Sequence, residues 1–379
     1  MKKKVFHIIS HFDMGGAERV AVNIARSRTP EFEYHIVEVL RARSPFTATF
    51  IDEMREAGIV YHRGILPDVR FHFLFERLAA LLFPLTFLLT FLRHRPAVIH
   101  AHTEAADLCT FAFFTCFPWL AGRCRIVRTI HNTRLWTGQL AIGRRVERFY
   151  QRHHSNVAIS LSVQDNYHRV YGDTPPIIYN GVSPVSQEPY PNLVAGKVNV
   201  LFAGRFDPQK GISTLIEIIR AVSTDSRYFF HVVGDGPLRD DLIKGLEGLN
   251  NVRITPPVFG LSRYLSSFDY MIMPSEFEGL SIMSIEASMA RLPNIINNCL
   301  GLKDTLPADW QLAANDNRID DYIHIFRDVL PAVSRSALAD AAFLFASDHF
   351  SLRGMQTAYE EVYLVYRCTL LENATILSH

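Results

Sequence analysis

Short apolar runs alternate with helical patterns along the first half of the chain. Residues 5–9 form a nearly continuous apolar run, which is typical of a strand buried on both faces. Similar runs occupy residues 97–100, 125–130 and 156–159, and a helical pattern from Ala17 to Ser27 follows the first strand. Because strands alternate with helices, the sequence predicts a parallel sheet with helices on both faces.

The same pattern restarts after residues 184–196, a polar stretch rich in proline of the kind that separates domains. Strand-like runs follow at residues 198–203, 228–233 and 269–273. Between the first two runs, apolar residues are spaced as one face of a helix. These residues are Ile212, Leu215, Ile216 and Ile219.

The chain is therefore predicted to be an α/β protein with two doubly wound, Rossmann-like domains. We expect an N-terminal domain over residues 1–183, a linker over 184–196 and a C-terminal domain over 197–350, followed by a helix over 351–371. Doubly wound domains bind ligands at the carboxyl ends of their strands. The active site is thus expected in a cleft where the two domains face each other.

Two long apolar segments occur in the N-terminal half, at residues 78–92 and 108–121. The first is shorter than the ~18–20 residues that a membrane-spanning helix needs, so we predict no transmembrane segment. Buried helices of the domain core explain both segments. A second interpretation stays open for residues 78–92, which basic residues flank: a helix that docks on the cytoplasmic face of a membrane.

Bulk composition excludes several functional classes. The 379 residues are 48% hydrophobic and 20% charged, as in an ordinary globular protein, and the net charge is +1. No global charge attracts nucleic acid, so we expect no nucleic-acid partner. The five cysteines are scattered and form no Cys-x-x-Cys pair. This spacing indicates neither a disulfide framework nor a zinc site and favours the cytoplasm.

The first candidate for chemistry is the loop after strand 198–203, Gly204-Arg205-Phe206-Asp207-Pro208-Gln209-Lys210-Gly211. Free N–H groups at the start of the next helix favour an anion. The arginine fork and the mobile lysine charge suit a diphosphate. A solvated loop with surface charges explains the same residues, so the loop alone leaves both interpretations open.

The second candidate is a pair of glutamates, Glu278 and Glu286. Glu278 follows strand 269–273, and Glu286 lies in the second turn of a helix predicted from Ser281 to Ala290. A carboxylate accepts two hydrogen bonds from a vicinal diol, so Glu286 is a candidate for binding a ribose. Glu278 is a candidate for orienting a transferred sugar. Two surface glutamates are the simpler alternative for either residue alone.

Gly15 and Gly16 lie between the first strand and the first helix, where glycine allows a backbone to approach a ligand closely. The chain contains no Gly-x-Gly-x-x-Gly, which disfavours a nicotinamide dehydrogenase. His131 follows strand 125–130 and is expected to face the same cleft. A lone histidine is, however, more often structural than functional.

Metal chemistry is not indicated by the sequence. His100, His102 and Glu104 resemble metal ligands, but local hydrogen bonds at a strand end explain them better because no partner cluster is visible. Asp-x-Asp is absent, so a metal–diphosphate clamp of that kind is unsupported. Gly-x-Ser-x-Gly is absent too, which disfavours a serine hydrolase. We expect no protein-bound metal and no cofactor.

Together, these motifs resemble the retaining glycosyltransferases of family 4, which have the GT-B fold. The similarity runs in the same order over most of the chain. The matching segments are Gly15-Gly16-Ala17-Glu18-Arg19, Ile99-His100-Ala101-His102, Thr129-Ile130-His131-Asn132, Asn180-Gly181-Val182, the loop 204–211, Val233-Gly234-Asp235-Gly236-Pro237, and the pair Glu278 and Glu286.

The resemblance implies a role for each of these residues. Arg205 and Lys210 neutralise the diphosphate of a nucleotide-sugar donor, Glu286 binds the nucleotide ribose, and Glu278 contacts the donor sugar. The helix 351–371 crosses back onto the N-terminal domain. Further implied donor contacts come from the amides of Gly279, Leu280 and Ser281, from Gly15 and Gly16 of the other domain, and from the side chain of His131.

Two segments depart from the family pattern. Ala290-Arg291-Leu292-Pro293 lacks the usual glycine before its proline, and Leu300-Gly301-Leu302-Lys303-Asp304 stands where a glycine pair and a later glutamate are common. Both segments belong to the outer wall of the implied donor pocket. The resemblance therefore does not specify which sugar is transferred.

The sequence thus predicts a retaining glycosyltransferase of the hexosyltransferase type. It would move a sugar from a nucleotide-diphosphate sugar to a glycan or lipid-linked saccharide, in the synthesis of a cell-surface polysaccharide such as lipopolysaccharide or capsule. Its place would be the cytoplasm, or the cytoplasmic face of the membrane. One alternative is another enzyme with the same fold, such as a nucleotide-sugar epimerase. The other is a non-catalytic carbohydrate-binding protein, and only this second alternative is disfavoured by the intact Arg205, Lys210, Glu278 and Glu286.

Overall fold

The computed structural model describes residues 2–12, 15–67, 72–137 and 139–364. The chain divides into two compact units. Unit 1 contains the residues up to Ile159, Val163–Gly181 and the described residues from Leu352 onward, and unit 2 contains Ser160–Ser162 and Val182–Ser351. The change between Gly181 and Val182 lies close to the predicted domain end at residue 183.

Unit 1 is built on a six-stranded parallel sheet. Its strands are β1 (Lys3–Ile9), β2 (Phe32–Glu38), β3 (Val60–His62), β4 (Val98–Ala101), β5 (Arg125–Ile130) and β6 (Asn156–Ala158). They lie in the order β3-β2-β1-β4-β5-β6. The chain proceeds outward from β1 on one side and from β4 on the other, so the topological switch point lies between these two strands.

Helices connect the strands of unit 1. They are α1 (Gly16–Ala25), α2 (Thr47–Glu56), α3 (His72–His94), α4 (Glu104–Cys116), α5 (Pro118–Ala121), α6 (Leu140–Arg152) and α7 (Leu161–Tyr171). Val5, Phe6, Ile8 and Ile9 of β1 are all fully buried. Their burial on both faces of the sheet confirms the interpretation of the first apolar run as a buried strand.

Unit 2 repeats this architecture with a second six-stranded parallel sheet. Its strands are β7 (Val198–Ala203), β8 (Tyr228–Val233), β9 (Val252–Thr255), β10 (Tyr270–Met273), β11 (Asn294–Asn297) and β12 (Ala313–Ala314). Their order is β12-β11-β10-β7-β8-β9. The switch point of this sheet therefore lies between β7 and β10, and the predicted fold class of two doubly wound α/β domains is confirmed.

The helices of unit 2 are α8 (Ile212–Ala221), α9 (Arg239–Gly245), α10 (Ile282–Met289), α11 (Ile319–His324), α12 (Leu330–Ala332) and α13 (Arg335–His349). In α8 the predicted Ile212, Leu215 and Ile219 are buried, together with Ile218, whereas Ile216 is only partly buried at the edge of the core. The predicted linker 184–196 includes Tyr190, whose side chain belongs to the core of unit 2.

The final described helix, α14 (Leu352–Leu364), packs on α1 and on the sheet of unit 1. Tyr363 Oη lies 2.7 Å from His100 Nδ1, Tyr359 Oη lies 2.8 Å from Thr129 Oγ1, and Gln356 Nε2 donates to the carbonyl of Asn23 over 2.8 Å. These bonds join α14 to strands β4 and β5 and to helix α1. Residues 365–371 of the predicted helix lie outside the described residues.

Helix α3 is longer than the apolar run that predicted it. Within the described residues, Phe75–His94 is the one single helix that is long and apolar enough to cross a membrane. About a third of the 18 residues on which this rests is buried. Phe83, Phe87 and Phe91 form the buried face and pack in the core with Phe113 of α4. The helix is thus part of the unit 1 core along one side, as is much of the 108–121 segment.

Candidate functional site

The switch point of unit 2 brings two predicted residues together. Lys210 follows β7, Glu278 follows β10, and Lys210 Nζ donates to Glu278 Oε1 over 2.6 Å. Ser275 Oγ donates to the same oxygen over 2.8 Å. Because the Glu278 side chain is almost fully buried, these two donors fix its carboxylate at the carboxyl edge of the sheet.

The loop after β7 is folded tightly against the loop after β10. Asp207 caps a single turn of 3₁₀ helix at Pro208–Lys210, and Gly211 follows in the left-handed region at φ 67°. A Cβ atom at Gly211 would lie 1.8 Å from the carbonyl oxygen of Pro274, so only glycine permits this approach. The close approach places Lys210 within reach of Glu278.

A second glycine supports Glu278 from the other side. Gly301 has φ 77°, and a Cβ atom there would lie 2.2 Å from the carbonyl oxygen of Glu278. The amide of Glu278 donates to the carbonyl of Leu300 over 2.9 Å. The 300–304 segment, which departs from the family pattern in sequence, therefore fixes the backbone of Glu278.

Both cations of the predicted diphosphate loop are already paired with carboxylates. Arg205 forms an ion pair with Asp207, and its side chain is 66% exposed. Lys210 is paired with Glu278. The four groups carry no net charge together, so a bound diphosphate would have to draw the cations toward itself. The sequence pattern showed the cations but not their partners.

The predicted helix after Glu278 begins one residue later and ends one residue earlier than expected. Ser281 is the N-cap of α10, and its Oγ accepts from the amide of Ser284 over 3.4 Å. Leu280 is buried beside it, and Glu286 is partly exposed on the helix. The predicted roles of Gly279, Leu280, Ser281 and Glu286 in donor binding stay predictions.

At the switch point of unit 1, the glycine pair follows β1. Gly15 is the N-cap of α1 and Gly16 its first residue. A Cβ atom at Gly15 would lie 2.0 Å from Glu18 Oε2, whereas a Cβ atom at Gly16 would meet nothing within 4 Å. No described residue therefore requires glycine at position 16. A ligand that approached this backbone closely would require it.

Four histidines lie close together beneath the same edge of the unit 1 sheet. His7 Nδ1 is 2.8 Å from His102 Nε2, and His102 Nδ1 is 3.2 Å from His131 Nε2. His100 bonds instead to hydroxyls, through Nδ1 to Tyr363 and through Nε2 to Thr129, both at 2.7 Å. Hydrogen bonds do hold His100 and His102, but the partners are distant in sequence and not the local ones that the sequence analysis expected.

The partner that the sequence analysis missed is His7. The ligand atoms of His7, His100 and His102 lie within 4.8 Å of one another, a spacing that a metal ion would fit. Five of their six ring nitrogens already take part in hydrogen bonds. Glu104 bonds elsewhere, since its Oε1 accepts from the amide of Trp136 over 2.9 Å. The expectation of no bound metal stays a prediction.

Burial keeps these imidazoles neutral. It lowers the pKa of His7 and of His131 to about 3, and burial together with neighbouring histidines lowers the pKa of His100 and of His102 well below the ordinary value. Near pH 7 each ring therefore carries one N–H group and one lone pair. The unit 1 edge offers hydrogen bonds rather than positive charge from these side chains.

A buried ion network supports the strand that leads to His131. Arg128 of β5 donates to Asp107 over 2.7 Å and to Glu147 over 2.6 Å, and Trp136 and Tyr167 each donate to Glu147 over 2.6 Å. Burial raises the pKa of Asp107 to about 7 even with Arg128 beside it. The network ties β5 to helices α4, α6 and α7.

Two families match the two halves of the chain. "Glycosyltransferase Family 4" matches residues 14–185, and "Glycosyl transferases group 1" matches residues 197–330. The capsular polysaccharide biosynthesis glycosyltransferase CapH of Staphylococcus aureus is 23% identical over 309 residues, which cover 75% of this chain and 78% of CapH.

Other similarities extend this result. An uncharacterized 41.2 kDa protein in the cps region of Klebsiella pneumoniae is 27% identical over 205 residues, which cover 50% of this chain. The match spans only 55% of the Klebsiella protein. Anabaena HepE, crystallised with UDP and glucose, superposes with a TM-score of 0.75 at 17% identity, covering 95% of this chain and 99% of HepE.

Proposed function

This chain belongs to the group 1, family 4-like glycosyltransferases of the GT-B fold, and we propose that it transfers a sugar from a nucleotide-diphosphate sugar to a glycan or lipid-linked acceptor. The observation that carries the proposal is the ion pair of Lys210 with Glu278 at the switch point of unit 2. It joins a cation suited to the leaving diphosphate and a carboxylate suited to the sugar.

The donor assignment follows from the chemistry of that switch point. Arg205 and Lys210 start from the loop after β7, where ligands of doubly wound domains bind. A diphosphate would compete with Asp207 and Glu278 for these two cations. HepE, which has the same fold, was crystallised with UDP and with UDP-glucose, and this supports a nucleotide-sugar donor here.

For the chemical step we propose retention of the anomeric configuration by attack on the same face. The bond from the anomeric carbon to the diphosphate oxygen breaks, and the oxygen of the acceptor hydroxyl bonds to that carbon. The proton of the acceptor hydroxyl passes to the departing diphosphate oxygen. Arg205 and Lys210 stabilise the charge that develops on the diphosphate. Glu278 is already bonded to Lys210 and Ser275, which suits it to hydroxyl contacts rather than to forming a covalent intermediate.

The product class rests on the relatives. CapH is named for capsular polysaccharide biosynthesis, and the Klebsiella relative for its cps region. We propose that this chain extends a cell-surface polysaccharide. No protein-bound metal is part of the proposed reaction, so activity should persist in EDTA.

We also propose that α3 places the enzyme on an anionic membrane surface. Leu81, Leu85 and Leu89 lie four residues apart on one face of the helix, and they are 72%, 68% and 76% exposed. Leu78 and Leu92 extend the same exposed stripe. Since the opposite face is buried in the unit 1 core, the stripe is suited to lie in the headgroup region rather than to span the bilayer.

Charge favours a lipid surface as the occupant of this face. Arg77, Arg93 and Arg95 flank the leucine stripe and are exposed, and no acidic residue occurs between residues 77 and 95. Basic residues beside an apolar helix face add attraction to anionic lipids of about 1 kcal/mol each. A membrane-bound enzyme would meet a lipid-linked acceptor at the same surface.

The proposed donor is tested by a thermal-shift screen with UDP, GDP and ADP. A ligand that binds only the native state raises stability by RT ln(1 + [L]/Kd), so the matching nucleotide should raise the Tm. Lys210→Ala should abolish that shift, whereas Lys197→Ala, at the opposite end of β7, should retain it. No shift with any nucleotide would favour a non-catalytic protein.

Product analysis separates the remaining alternatives. NMR of the product from the matching nucleotide sugar should show a new glycosidic bond with the configuration of the donor, in EDTA as well as without it. An inverted product would overturn same-face attack. Conversion of the nucleotide sugar to its epimer without acceptor would favour an epimerase.

A further inference from the structure

Three imidazoles form a line through unit 1 that ends at the carboxyl edge of its sheet. His7 bonds to His102 and His102 bonds to His131, over 2.8 and 3.2 Å. His7 and His102 are fully buried, whereas His131 is partly exposed. We call these three residues the histidine line.

Sheet pairing fixes the histidine line. His7 of β1 is directly opposite His100 of β4, and the amide of His102 donates to the carbonyl of Ile8 over 3.0 Å. His131 follows β5, the neighbour of β4. His100 is not part of the line because both of its ring nitrogens bond to hydroxyl groups.

The protons along the line must all point in one direction. Each neutral ring has one N–H, so His102 donates to one neighbour and accepts from the other. In the inward direction, His131 donates to His102 and His102 donates to His7, so the proton of His7 would lie on Nε2, which is buried and has no hydrogen-bond partner among the described residues. In the outward direction, His7 donates to His102 and His102 donates to His131, so His7 Nε2 carries only a lone pair.

The outward direction is the more favourable one. Buried N–H groups without an acceptor are rarer in native proteins than acceptors that lack a donor. His7 Nδ1 then donates to His102 Nε2, and His102 Nδ1 donates to His131 Nε2. The single proton of His131 is left on Nδ1, to which no described residue hydrogen-bonds.

We infer that His102 and His7 are positioning residues that hold His131 as its Nδ1–H tautomer, with that N–H available to an oxygen acceptor of the bound donor sugar. The sugar as ligand rests on the proposed function, but the tautomer does not. The line gives a reason for a histidine within the otherwise apolar run of residues 5–9 in β1, where a buried polar ring would be costly without a partner.

The test reads the tautomer directly, without nucleotide. Histidine side-chain ¹⁵N NMR of the full chain near pH 7 should show His131 protonated at Nδ1 and unprotonated at Nε2. His102→Phe should release His131 from this state and move its signals toward the other tautomer. His102→Gln, whose amide can still donate to His131 Nε2, should restore the native pattern.

His231→Asn is the matched control, because His231 is a buried histidine of unit 2 bonded to Asn199. It should leave the His131 signals unchanged. A wild-type His131 protonated at Nε2, or one that His102→Phe does not affect, would overturn the inference. If His102→Phe does not fold, His7→Phe removes the inner end of the line and tests the same coupling.

A kinetic measurement adds the link to function. Loss of the His131 hydrogen bond in His102→Phe should lower kcat/KM for the nucleotide sugar by roughly tenfold, and His102→Gln should recover most of it. An unaltered kcat/KM with an altered tautomer would contradict the sugar contact and leave the tautomer assignment standing. Absence of any transferase activity would refute the proposed function without touching the NMR result.

Discussion

Lys210 Nζ donates to Glu278 Oε1 over 2.6 Å, and so joins the loops that follow the two central strands of the unit 2 sheet. Ser275 Oγ bonds to the same carboxylate oxygen over 2.8 Å. Without a ligand the lysine neutralises the glutamate. A diphosphate that draws Lys210 away would leave Glu278 held by Ser275 and free to accept from a sugar hydroxyl.

Removal of the loop cations should reduce turnover far more than it reduces stability. Arg205→Ala and Lys210→Ala each remove a positive charge that would stabilise the leaving diphosphate. The expected loss is roughly 2–4 kcal/mol of transition-state stabilisation, or about 10²–10³ in kcat. Arg227→Ala and Lys197→Ala are matched controls, since these residues precede strands β8 and β7 and so lie at the end of the sheet opposite the proposed site. Near-normal turnover of both loop variants would refute the diphosphate assignment.

Gly16→Ala should separate ligand contact from folding. A Cβ atom at position 16 meets nothing within 4 Å in the structure, so the Tm should stay close to that of the wild type. If the donor approaches this backbone, the added methyl group should raise KM for the nucleotide sugar. Gly122→Ala, where a Cβ atom also meets nothing, is the control for an unstrained substitution. Unchanged kinetics of Gly16→Ala would remove Gly16 from the site.

Acid should destabilise the protein through its buried histidines. Burial lowers the pKa of His7 to about 3, so below pH 6.5 the unfolded chain binds a proton that the folded chain does not. The free energy of unfolding should therefore fall as the pH falls from about 6.5 toward 3, by up to ~1.4 kcal/mol per pH unit for each such histidine.

Urea unfolding at several pH values between 7 and 5 measures this slope. His7→Gln should make the slope less steep by the contribution of one histidine, whereas His168→Gln, at an exposed histidine of the same unit, should leave it unchanged. A free energy of unfolding that does not vary with pH over this range would show that the histidines are not held neutral.

The leucine stripe of α3 should control membrane binding without affecting the chemistry. The double variant Leu85→Ser/Leu89→Ser removes two exposed leucines and should prevent sedimentation with phosphatidylglycerol-rich vesicles at low salt. Leu344→Ser removes a comparably exposed leucine of unit 2, 61% accessible, and should sediment as the wild type does. Turnover with a soluble acceptor should be equal in all three. A wild-type protein that stays in the supernatant would contradict membrane docking.

The strands and the chemistry of unit 2 could be predicted because local sequence determines them. An apolar run followed by a loop marks the end of a strand, and this pattern places Arg205, Lys210 and Glu278 after the carboxyl ends of their strands. The contact of Lys210 with Glu278 was not predicted. The pairing of Arg205 with Asp207 could not be foreseen, since it depends on side-chain rotamers in a loop.

Long-range contacts were harder to predict. His7 lies within an apolar run that predicts only a buried strand. The pairing of β1 with β4 is what brings His7 into contact with His102. The short strand β12 has two residues, too few to give a periodic pattern. Helix α3 extends beyond its apolar run because the helix continues through the charged residues Glu76 and Arg77 at one end and Arg93 at the other, so these charges do not mark its ends.

The most direct test of the account is release of nucleoside diphosphate from a panel of nucleotide sugars, followed with and without saccharide acceptors. We expect one nucleotide sugar to yield nucleoside diphosphate and a glycosylated acceptor in equal amounts with the wild-type protein. Glu278→Gln, which keeps a hydrogen-bonding side chain beside Ser275 but loses the charge, should lower this turnover while still binding the nucleotide. Full turnover of Glu278→Gln, or no transfer from any nucleotide sugar, would contradict a glycosyltransferase site at this ion pair.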